Sequence, residues 1–525
     1  MRLFSRTSFC FFCASLFFSG VKLNAQVLTS KQIDSVAEQT LRTFDVPGIA
    51  VAIIKDGKVI HAKGYGVRSI KTNLKVDENT LFGIASNTKA FTTAALGMLV
   101  DEKKITWDTK VVDVIPTFRL YDSYVTSEFT IRDLITHRSG LGLGAGDLMI
   151  WPDSSIVSKT NIIHNLRFLK PVSGFRSKFD YDNLLYIVAG EVIESVSGLK
   201  YEDFIETKMM LPLGMNKSAT SFNRLKDKTN IIDAHAPVNG KIVAIPKDFT
   251  EASNAAGGIN TSIADLSKWV KMQLDGGKHG DNLSKTLFSK SIQNQMWTLQ
   301  TVIPGTNPTY NSHFFGYGMG WFLTDESGYL VAEHTGGLAG MVSEVTLVPE
   351  LKLGIIVLTN QQVGEAFTSI TNTIKDGYYG VKKRDWINRL QTERLQYQKE
   401  AKTIVDKIWV SINVEQSSTA KLDLKNYLGI FNDEWFGKVT ISEMNGKMHF
   451  QAKNSPKLRG DMMYYKGNTF IVKWYDRSLD ADAFVNFTLN NEAKADGFKM
   501  AAISPLTDFS FDFQDLDFKL INKNN

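Results

Sequence analysis

Cysteine is scarce in this chain of 525 residues. Its only two cysteines, Cys10 and Cys13, lie near the N-terminus, so disulfides, thiol catalysis and thiolate metal ligands are excluded from the rest of the sequence. A strong excess of one charge is also lacking, because 60 lysines and arginines against 55 aspartates and glutamates leave a formal charge of +5. No block of basic residues is interleaved with aromatics, and we therefore expect no nucleic-acid partner.

The apolar run at the N-terminus, residues 9–18, is too short to span a bilayer and follows Arg2 and Arg6. This pattern is typical of a secretory signal peptide, which we predict at residues 1–25 with cleavage after Ala25. We therefore expect a periplasmic or secreted protein with no stable membrane insertion after cleavage. Cleavage removes three basic residues and lowers the formal charge to +2. An uncleaved membrane anchor is the alternative.

The length predicts roughly two to four domains of about 150 residues each. Residues 30–44 have helical apolar spacing, with Thr29 or Ser30 placed to cap the helix. Residues 46–66 indicate two strands around an Asp-Gly turn. A helical stretch follows, and further strands are predicted at residues 316–324, 330–333, 343–348 and 353–359. Strands at both ends with helices between them predict an α/β (α+β) domain over residues 26–365, with an antiparallel sheet flanked by helices and a helical lobe.

The pattern changes after residue 365. Residues 366–420 are polar and helix-forming, which predicts a helical linker, and a coiled-coil seam is the alternative. Residues 421–525 consist of short alternating strands with turn signals, which predicts a small all-β barrel or sandwich. This C-terminal domain is a candidate surface for homo-oligomerisation.

Ser86 and Lys89 stand at the start of a predicted helix that is rich in Ala, Thr and Leu. Three residues apart on a helix, the two side chains share a face. A lysine held there can take up the serine proton if burial lowers the lysine pKa, and the serine then becomes a nucleophile. The spacing alone is not specific, because Ser197 with Lys200 repeats it, and a helix cap beside a solvated lysine is the alternative interpretation.

Tyr181 and Asn183 precede an apolar helix and form the only Tyr-X-Asn sequence in the chain. A phenol serves as a general base where nearby cations favour the phenolate, and a carboxamide two residues on can hold both a lysine and a substrate amide. A tyrosine that simply packs at a helix start is the alternative.

His334, Gly336 and Gly337 follow the strand predicted at residues 330–333. Glycines at the border of a pocket let a substrate lie close to the backbone, and a backbone N–H there can point at the carbonyl oxygen under attack. A plain glycine turn between two strands is the alternative.

Taken together and in this order, the three motifs resemble the Ser-X-X-Lys, Tyr-X-Asn and Lys/His-X-Gly motifs of the class C β-lactamase and penicillin-binding-protein family of serine hydrolases. The resemblance covers about residues 30–365 and includes the sequence segments at residues 130–141 and 256–266. It implies a β-lactamase-like fold. The β-rich tail from residue 421 resembles the lipocalin-like domain that is often appended to such hydrolases.

The resemblance implies that Ser86 attacks a carbonyl carbon to give an acyl-enzyme, while Lys89 and Tyr181 share the proton transfer. It implies no metal and no organic cofactor. The expected substrate is a small molecule, a peptide or a peptidoglycan fragment.

The remaining motif residues are implied to bind the substrate. Asn183 is expected to position it, and His334 to line the pocket and orient either the substrate or Tyr181. Gly336 and Gly337 are expected to border the pocket, and the backbone N–H of Gly337 to share an oxyanion hole with that of Ser86.

The sequence departs from many family members by carrying His334 where they carry a lysine that binds a substrate carboxylate. Histidine titrates near neutrality and gives only a conditional charge. We therefore expect a peptidase, D-aminopeptidase, carboxypeptidase or esterase-like enzyme on a peptide, D-amino-acid amide or ester. The alternatives are a β-lactamase and a non-catalytic module that binds cell-wall fragments. Two irregular segments, residues 141–171 and 297–315, are expected to shape the pocket.

Overall fold

A computed structural model describes residues 27–246, 250–382, 384–416 and 422–522. The predicted signal peptide at residues 1–25 lies outside the described residues. Within the described ranges, the helices are too short or too polar to cross a membrane.

The first elements of the fold are a capped helix and a β-hairpin. Helix α1 (Ser30–Thr43) is capped by Thr29, whose hydroxyl accepts a hydrogen bond from the backbone N–H of Gln32 while the Gln32 side chain accepts one from the backbone N–H of Thr29. Strands β1 (Gly48–Lys55) and β2 (Lys58–Gly66) follow. The turn between them places Asp56 and Gly57 at positive φ, as a two-residue hairpin requires.

The other strands of the first domain are β3 (Phe82–Gly83), β4 (Ala234–Val238), β5 (Lys241–Ile245), β6 (Asn260–Thr261), β7 (Lys278–His279), β8 (Lys285–Thr286), β9 (Thr301–Val302), β10 (Phe315–Tyr317), β11 (Phe322–Glu326), β12 (Tyr329–Leu338), β13 (Met341–Val348) and β14 (Leu353–Thr359). The last six join the hairpin in one antiparallel sheet, in the order β2-β1-β14-β13-β12-β11-β10-β9. Three two-stranded ribbons, β3-β6, β4-β5 and β7-β8, lie outside that sheet.

The helices after α1 are α2 (Thr88–Asp101), α3 (Val111–Val114), α4 (Ser123–Glu128), α5 (Ile131–Leu134), α6 (Lys159–Asn165), α7 (Leu184–Ser197), α8 (Tyr201–Phe204), α9 (Leu211–Leu213), α10 (Asn254–Gly257), α11 (Ile263–Leu274), α12 (Lys290–Met296), α13 (Gly364–Tyr379) and α14 (Trp386–Gln416). Most of them form a lobe on one face of the sheet, whereas α1 and α13 lie on the other face. Helix α14 packs against α13 and, through Ile408 and Ile412, against the C-terminal domain.

Both faces of the sheet are buried, which explains why β1 is apolar along almost its whole length. Ala50 and Ala52 of β1 belong to the core shared with the helical lobe, and Ile49 and Val51 to a second core shared with α1 and α13. The first core continues into the C-terminal domain without a break.

The C-terminal domain is a closed antiparallel barrel of eight strands. Its interior is filled by aromatic side chains, including Phe431, Phe450, Trp474 and Phe498. The strands are β15 (Gly429–Asp433), β16 (Gly437–Met444), β17 (Lys447–Ala452), β18 (Arg459–Lys466), β19 (Thr469–Trp474), β20 (Ala483–Leu489), β21 (Ala495–Ala502) and β22 (Phe518–Asn522). The predicted fold class, a β-lactamase-like α/β (α+β) domain followed by a small all-β barrel, is confirmed.

Two local predictions differ from the structure. The strand predicted at residues 316–324 is broken into β10 and β11, because Gly320 adopts a positive φ between them. The strand predicted at residues 330–333 continues to Leu338, so His334 lies within β12. The predicted linker, residues 366–420, also includes most of helix α13, which begins at Gly364 and packs against the sheet through Ile370 and Ile374.

Candidate active site

Ser86 lies in a 3-10 turn, Ala85–Asn87, directly before α2. The preceding residue, Ala85, has a φ of +48°, a left-handed conformation that is costly for a residue with a Cβ. Ser343 of β13 holds the turn, because its hydroxyl donates to the Ile84 carbonyl at 2.8 Å and accepts from the Asn87 amide at 2.9 Å. The turn that carries the serine is therefore fixed to the sheet.

The Lys89 ammonium group is buried against three oxygen atoms. Its Nζ lies 2.7 Å from the Asn183 Oδ1, 3.0 Å from the Ala256 carbonyl oxygen and 3.0 Å from the Ser86 Oγ. The amide and carbonyl oxygens can only accept hydrogen bonds, whereas the serine hydroxyl can also donate one. In the neutral amine, two N–H bonds therefore go to Asn183 and Ala256, and the lone pair is left for the Ser86 hydroxyl.

Burial favours that neutral amine. It lowers the pKa of Lys89 to about 7, and the carboxyl of Asp147 offsets part of the effect. A lysine with a pKa near neutrality is present partly as the free base at physiological pH, which is the form that can take a proton from Ser86.

Tyr181 lines the same cavity as Ser86. Burial raises the pKa of the Tyr181 phenol well above its usual value, and the neighbouring Ser86 hydroxyl lowers that pKa only in part. The expectation that nearby cations favour a phenolate is therefore wrong for the resting site, although the Lys89 Nζ lies 4.8 Å from the centre of the ring. A protonated phenol at this position is a proton donor.

His334 lines the cavity, and its ring is held by two hydrogen bonds. Nδ1 lies 2.6 Å from the Thr335 carbonyl oxygen and so carries the proton, which leaves Nε2 to accept from the Tyr317 hydroxyl at 3.0 Å. Burial, aided by Lys89, lowers the pKa of His334 to about 3. The expectation that His334 titrates near neutrality is therefore wrong, and its direct partner is Tyr317, while the Tyr181 ring centre is 6.3 Å away.

Gly336 and Gly337 have different surroundings. A Cβ on Gly336 would lie 2.2 Å from the Ile84 carbonyl oxygen and 2.9 Å from the Ala85 Cβ, so the absence of a side chain lets β12 pack against the turn that carries Ser86. A Cβ on Gly337 would meet no atom within 4 Å. Both Ser86 and Gly337 line the cavity, where their backbone N–H groups are candidates for an oxyanion hole. Gly336 is not among the described lining residues, so the expectation that it borders the pocket is wrong, because it packs against the Ser86 turn instead.

The cavity has a volume of about 330 Å³. Aromatic side chains contribute much of its wall, namely Trp151, Phe179, Tyr181, Phe322 and Phe509. Among the described residues, the lining includes two aspartates, Asp153 and Asp508, and no lysine or arginine. Of the two irregular segments expected to shape the pocket, residues 141–171 contribute to the wall and residues 297–315 do not.

Several residues of the site lie outside the three motifs. Asp147 accepts a hydrogen bond from the Asn183 amide at 2.7 Å, and burial raises its pKa to about 7. The His137 ring lies 4.2 Å from that of Tyr181, centre to centre, and its Nδ1 accepts from the backbone N–H of Asp182 at 3.0 Å. Residues 508–510 of the C-terminal domain reach the cavity. The motif at residues 130–141 gave a sequence signal for His137, and Asp147 was indicated only as part of the irregular segment 141–171. No sequence signal marked residues 508–510.

Comparison with known proteins identifies a family for most of the chain. A family model described as Beta-lactamase matches residues 33–376, and one described as a domain of unknown function (DUF3471) matches residues 414–520. The unguisins hydrolase ungD of Aspergillus violaceofuscus is 26% identical over 442 residues, covering 78% of this chain and 76% of its own. Protein flp of Staphylococcus aureus (strain MRSA252) is 28% identical over 338 residues, covering 63% of each chain, less than two thirds of that relative.

A solved structure, the octameric penicillin-binding protein homologue from Pyrococcus abyssi, superposes with a TM-score of 0.60 at 22% identity. The superposition covers 94% of this chain and 100% of the other. At that identity the likeness shows the shared fold, barrel included.

Proposed function

This chain belongs to the β-lactamase family, whose fold is that of serine hydrolases, and on that premise we propose that it is an exported serine hydrolase acting through an acyl-enzyme on Ser86. The observation that carries the proposal is the environment of Lys89. Its amine is held by two acceptors that cannot donate, with the Ser86 hydroxyl as the third partner at 3.0 Å. A pKa of about 7 for Lys89 then makes proton transfer from Ser86 feasible at neutral pH.

In the first step, the Ser86 Oγ forms a bond to the substrate carbonyl carbon, and its proton passes to the Lys89 amine. The carbonyl oxygen becomes an oxyanion held by the backbone N–H groups of Ser86 and Gly337, a contribution of about 3 kcal/mol per donor in comparable sites. The bond to the leaving amine or alcohol then breaks. The Tyr181 phenol donates a proton to that leaving group and regains one from the protonated Lys89.

In the second step, water replaces the leaving group. It adds to the acyl carbon, gives up a proton to the same lysine and tyrosine pair, and releases a carboxylic acid while Ser86 recovers its hydroxyl. Asn183 holds Lys89 in both steps, because its Oδ1 accepts from the Lys89 Nζ at 2.7 Å.

The lining of the cavity supports a substrate without a carboxylate near Ser86. The two aspartates disfavour such a group and His334 is neutral. The described lining residues include no lysine or arginine, and the nearby Lys89 amine is already engaged by Asn183, Ala256 and Ser86. We therefore propose a peptide, a D-amino-acid amide or an ester as the substrate, and not a β-lactam. The name of the ungD relative, an unguisins hydrolase, supports a hydrolytic role.

The test is hydrolysis of four substrates by the wild type and the Ser86→Ala variant: a nitrophenyl ester, a D-alanine nitroanilide, a D-Ala-D-Ala peptide and a chromogenic cephalosporin. Ser197→Ala is the matched control, because Ser197 repeats the spacing to a lysine but does not line the cavity. We expect the ester or the anilide to be turned over by wild type and control and not by Ser86→Ala.

Other outcomes contradict the proposal in distinct ways. A kcat/KM for the cephalosporin above those of the other three substrates, lost in Ser86→Ala, would establish a β-lactamase. Binding of cell-wall fragments without turnover of any substrate would establish a binding module.

Export rests on the sequence of residues 1–25. The mature protein is expected to begin at Gln26, and N-terminal sequencing of protein from the periplasm or medium checks this. Homo-oligomerisation through the C-terminal domain stays a prediction, which light scattering of the purified protein tests.

A further inference from the structure

A segment of the C-terminal barrel enters the active site. It comprises residues 503–512, between β21 and the 3-10 turn at Phe513–Asp515, and is called the 503–512 loop below. Phe509 and Ser510 of this loop line the cavity that holds Ser86. The Phe509 ring packs edge-on against that of Tyr181, with 6.0 Å between ring centres. The barrel therefore supplies part of the wall beside the reacting groups.

The loop also contacts a buried carboxylate behind the cavity wall. The Asp147 Oδ2 accepts a hydrogen bond from the Ser510 hydroxyl at 2.8 Å and another from the Asn183 amide at 2.7 Å. The Asn183 carbonyl oxygen in turn accepts from the Lys89 Nζ at 2.7 Å. A continuous chain of hydrogen bonds thus runs from the barrel through Asp147 and Asn183 to Lys89.

The backbone on either side of Asp147 is held by the same loop. The carboxylate of Asp512 accepts from the N–H of Gly146 at 2.6 Å and from the N–H of Leu148 at 3.0 Å. Gly144 lies so close to the loop that a Cβ there would be 2.9 Å from the Phe509 carbonyl oxygen. These contacts leave the Asp147 side chain little freedom to move.

We propose that Asp147 is a positioning residue for Lys89 and Asn183, and that the 503–512 loop of the barrel completes the active site by fixing Asp147 through Ser510 and Asp512. The proposal rests on the proposed function, since it assigns Asp147 a role in activating Ser86.

The geometry explains what Asp147 adds. Rotation of the Asn183 side-chain amide by 180° exchanges its oxygen and nitrogen, so either atom can face Lys89. Because an ionised carboxylate only accepts hydrogen bonds, the charged form of Asp147 holds the nitrogen of Asn183 on its own side and leaves the oxygen on the Lys89 side. The lysine lone pair is thereby directed to Ser86.

The charge of Asp147 acts on Lys89 as well. It offsets part of the effect of burial on the Lys89 pKa, and Lys89 in turn lowers the pKa of Asp147. Asp508 acts in the opposite direction on the pKa of Asp147. The other titratable groups nearby are Tyr181, Asp182 and Asp512, whose pKa values are raised by burial and further by Asp147, and the buried histidines His137 and His334, whose pKa values are lowered by burial and further by Lys89.

The test compares kcat and the pH dependence of kcat/KM for full-length variants on the substrate found for the wild type. Asp147→Asn keeps an oxygen for Asn183 and Ser510 but removes the charge, so the pKa of Lys89 falls and the acid limb of kcat/KM moves about one unit lower in pH. Asp147→Ala also releases Asn183, and we expect kcat to fall roughly 100-fold.

Ser510→Ala tests the contribution of the barrel. Loss of its hydrogen bond disfavours the charged form of Asp147, so we expect a several-fold lower kcat and an acid limb shifted in the same direction as in Asp147→Asn, by a smaller amount. Thr507→Ala is the matched control, because its hydroxyl contacts the Asp480 carbonyl within the barrel. It is expected to retain the kcat and the pH profile of the wild type.

The outcomes separate this proposal from the proposed function. If Ser86→Ala abolishes turnover while the Asp147 and Ser510 variants keep wild-type kcat and pH profile, Asp147 has no positioning role and the proposed function stands. A fall in kcat with an unshifted acid limb in both Asp147→Asn and Ser510→Ala would indicate structural support alone and also overturns the proposal. Turnover retained by Ser86→Ala refutes the proposed function itself. Circular dichroism and melting curves verify that each variant is folded.

Discussion

At the scale of single residues, burial decides the chemistry of this site. Lys89 carries a depressed pKa because it is enclosed, and it remains enclosed because every polar contact of its amine is satisfied. His334 is neutral for the same reason and cannot replace the cationic lysine that many family members carry. The sequence identified both residues, but their ionisation depends on neighbours that lie far away along the chain.

The pH dependence of the reaction follows from Lys89. Since the free amine is the active form, kcat/KM is expected to fall as pH drops below about 7, approaching tenfold per pH unit, and to level off above that value. This fall on the acid side of the kcat/KM profile reports the joint titration of Lys89 and Asp147, because the pKa of each is about 7 and each affects the other. Initial rates at low substrate from about pH 5 to about pH 9 measure it. A profile that is flat through pH 7 contradicts this assignment.

Replacing Lys89 by arginine tests whether the amine must lose its proton. A guanidinium stays protonated at any pH the protein tolerates, so Lys89→Arg is expected to lower kcat by about 10²–10⁴-fold. Lys200→Arg, the same change in the Ser197-X-X-Lys200 sequence outside the cavity, is the control and is expected to act as wild type. Wild-type turnover in Lys89→Arg would exclude Lys89 as the base.

At the scale of elements, the site depends on how closely β12 approaches the turn that carries Ser86. Local patterns predicted both segments, because a serine at a helix start and a glycine pair beside a strand are visible within a few residues. They did not predict that β12 runs through His334 to Leu338. The extension is fixed by pairing with β13, in which Gly336 lies opposite Ser343, the residue that holds the turn.

Alanine at the two glycines is expected to have different effects. Gly336→Ala forces a methyl group against the Ile84 carbonyl, so we expect both a loss of about 1–3 kcal/mol in the free energy of unfolding and a fall in kcat. Gly337→Ala meets open space and is expected to keep the wild-type stability while raising KM. Denaturant unfolding and steady-state kinetics measure the two. Equal stability of both variants would contradict the close packing of Gly336 against the turn that carries Ser86.

At the scale of the whole molecule, the barrel and the first domain are one packed unit. Their cores are continuous, and the Asn165 side chain donates to the Trp435 carbonyl at 2.8 Å across the interface. Sequence patterns predicted the barrel but not its contacts with Asp147, because residues 147 and 510 are hundreds of positions apart and neither carries a local signature. Such contacts arise only from the tertiary packing of the two domains.

Because the two domains share one core, we expect them to unfold together. Circular dichroism, calorimetry and residual activity should report one thermal transition, and Asp512→Ala should lower its midpoint in all three measurements together. Two separate transitions, with activity surviving unfolding of the barrel, would show that the barrel is not part of the site.

The central claim, an activated Ser86, is tested most directly by intact-protein mass spectrometry after reaction with a fluorophosphonate probe. The account predicts a single adduct per chain in the wild type, mapped to Ser86 by peptide analysis, and none in Ser86→Ala. An adduct on another residue, or no adduct on a folded wild-type protein, would contradict it.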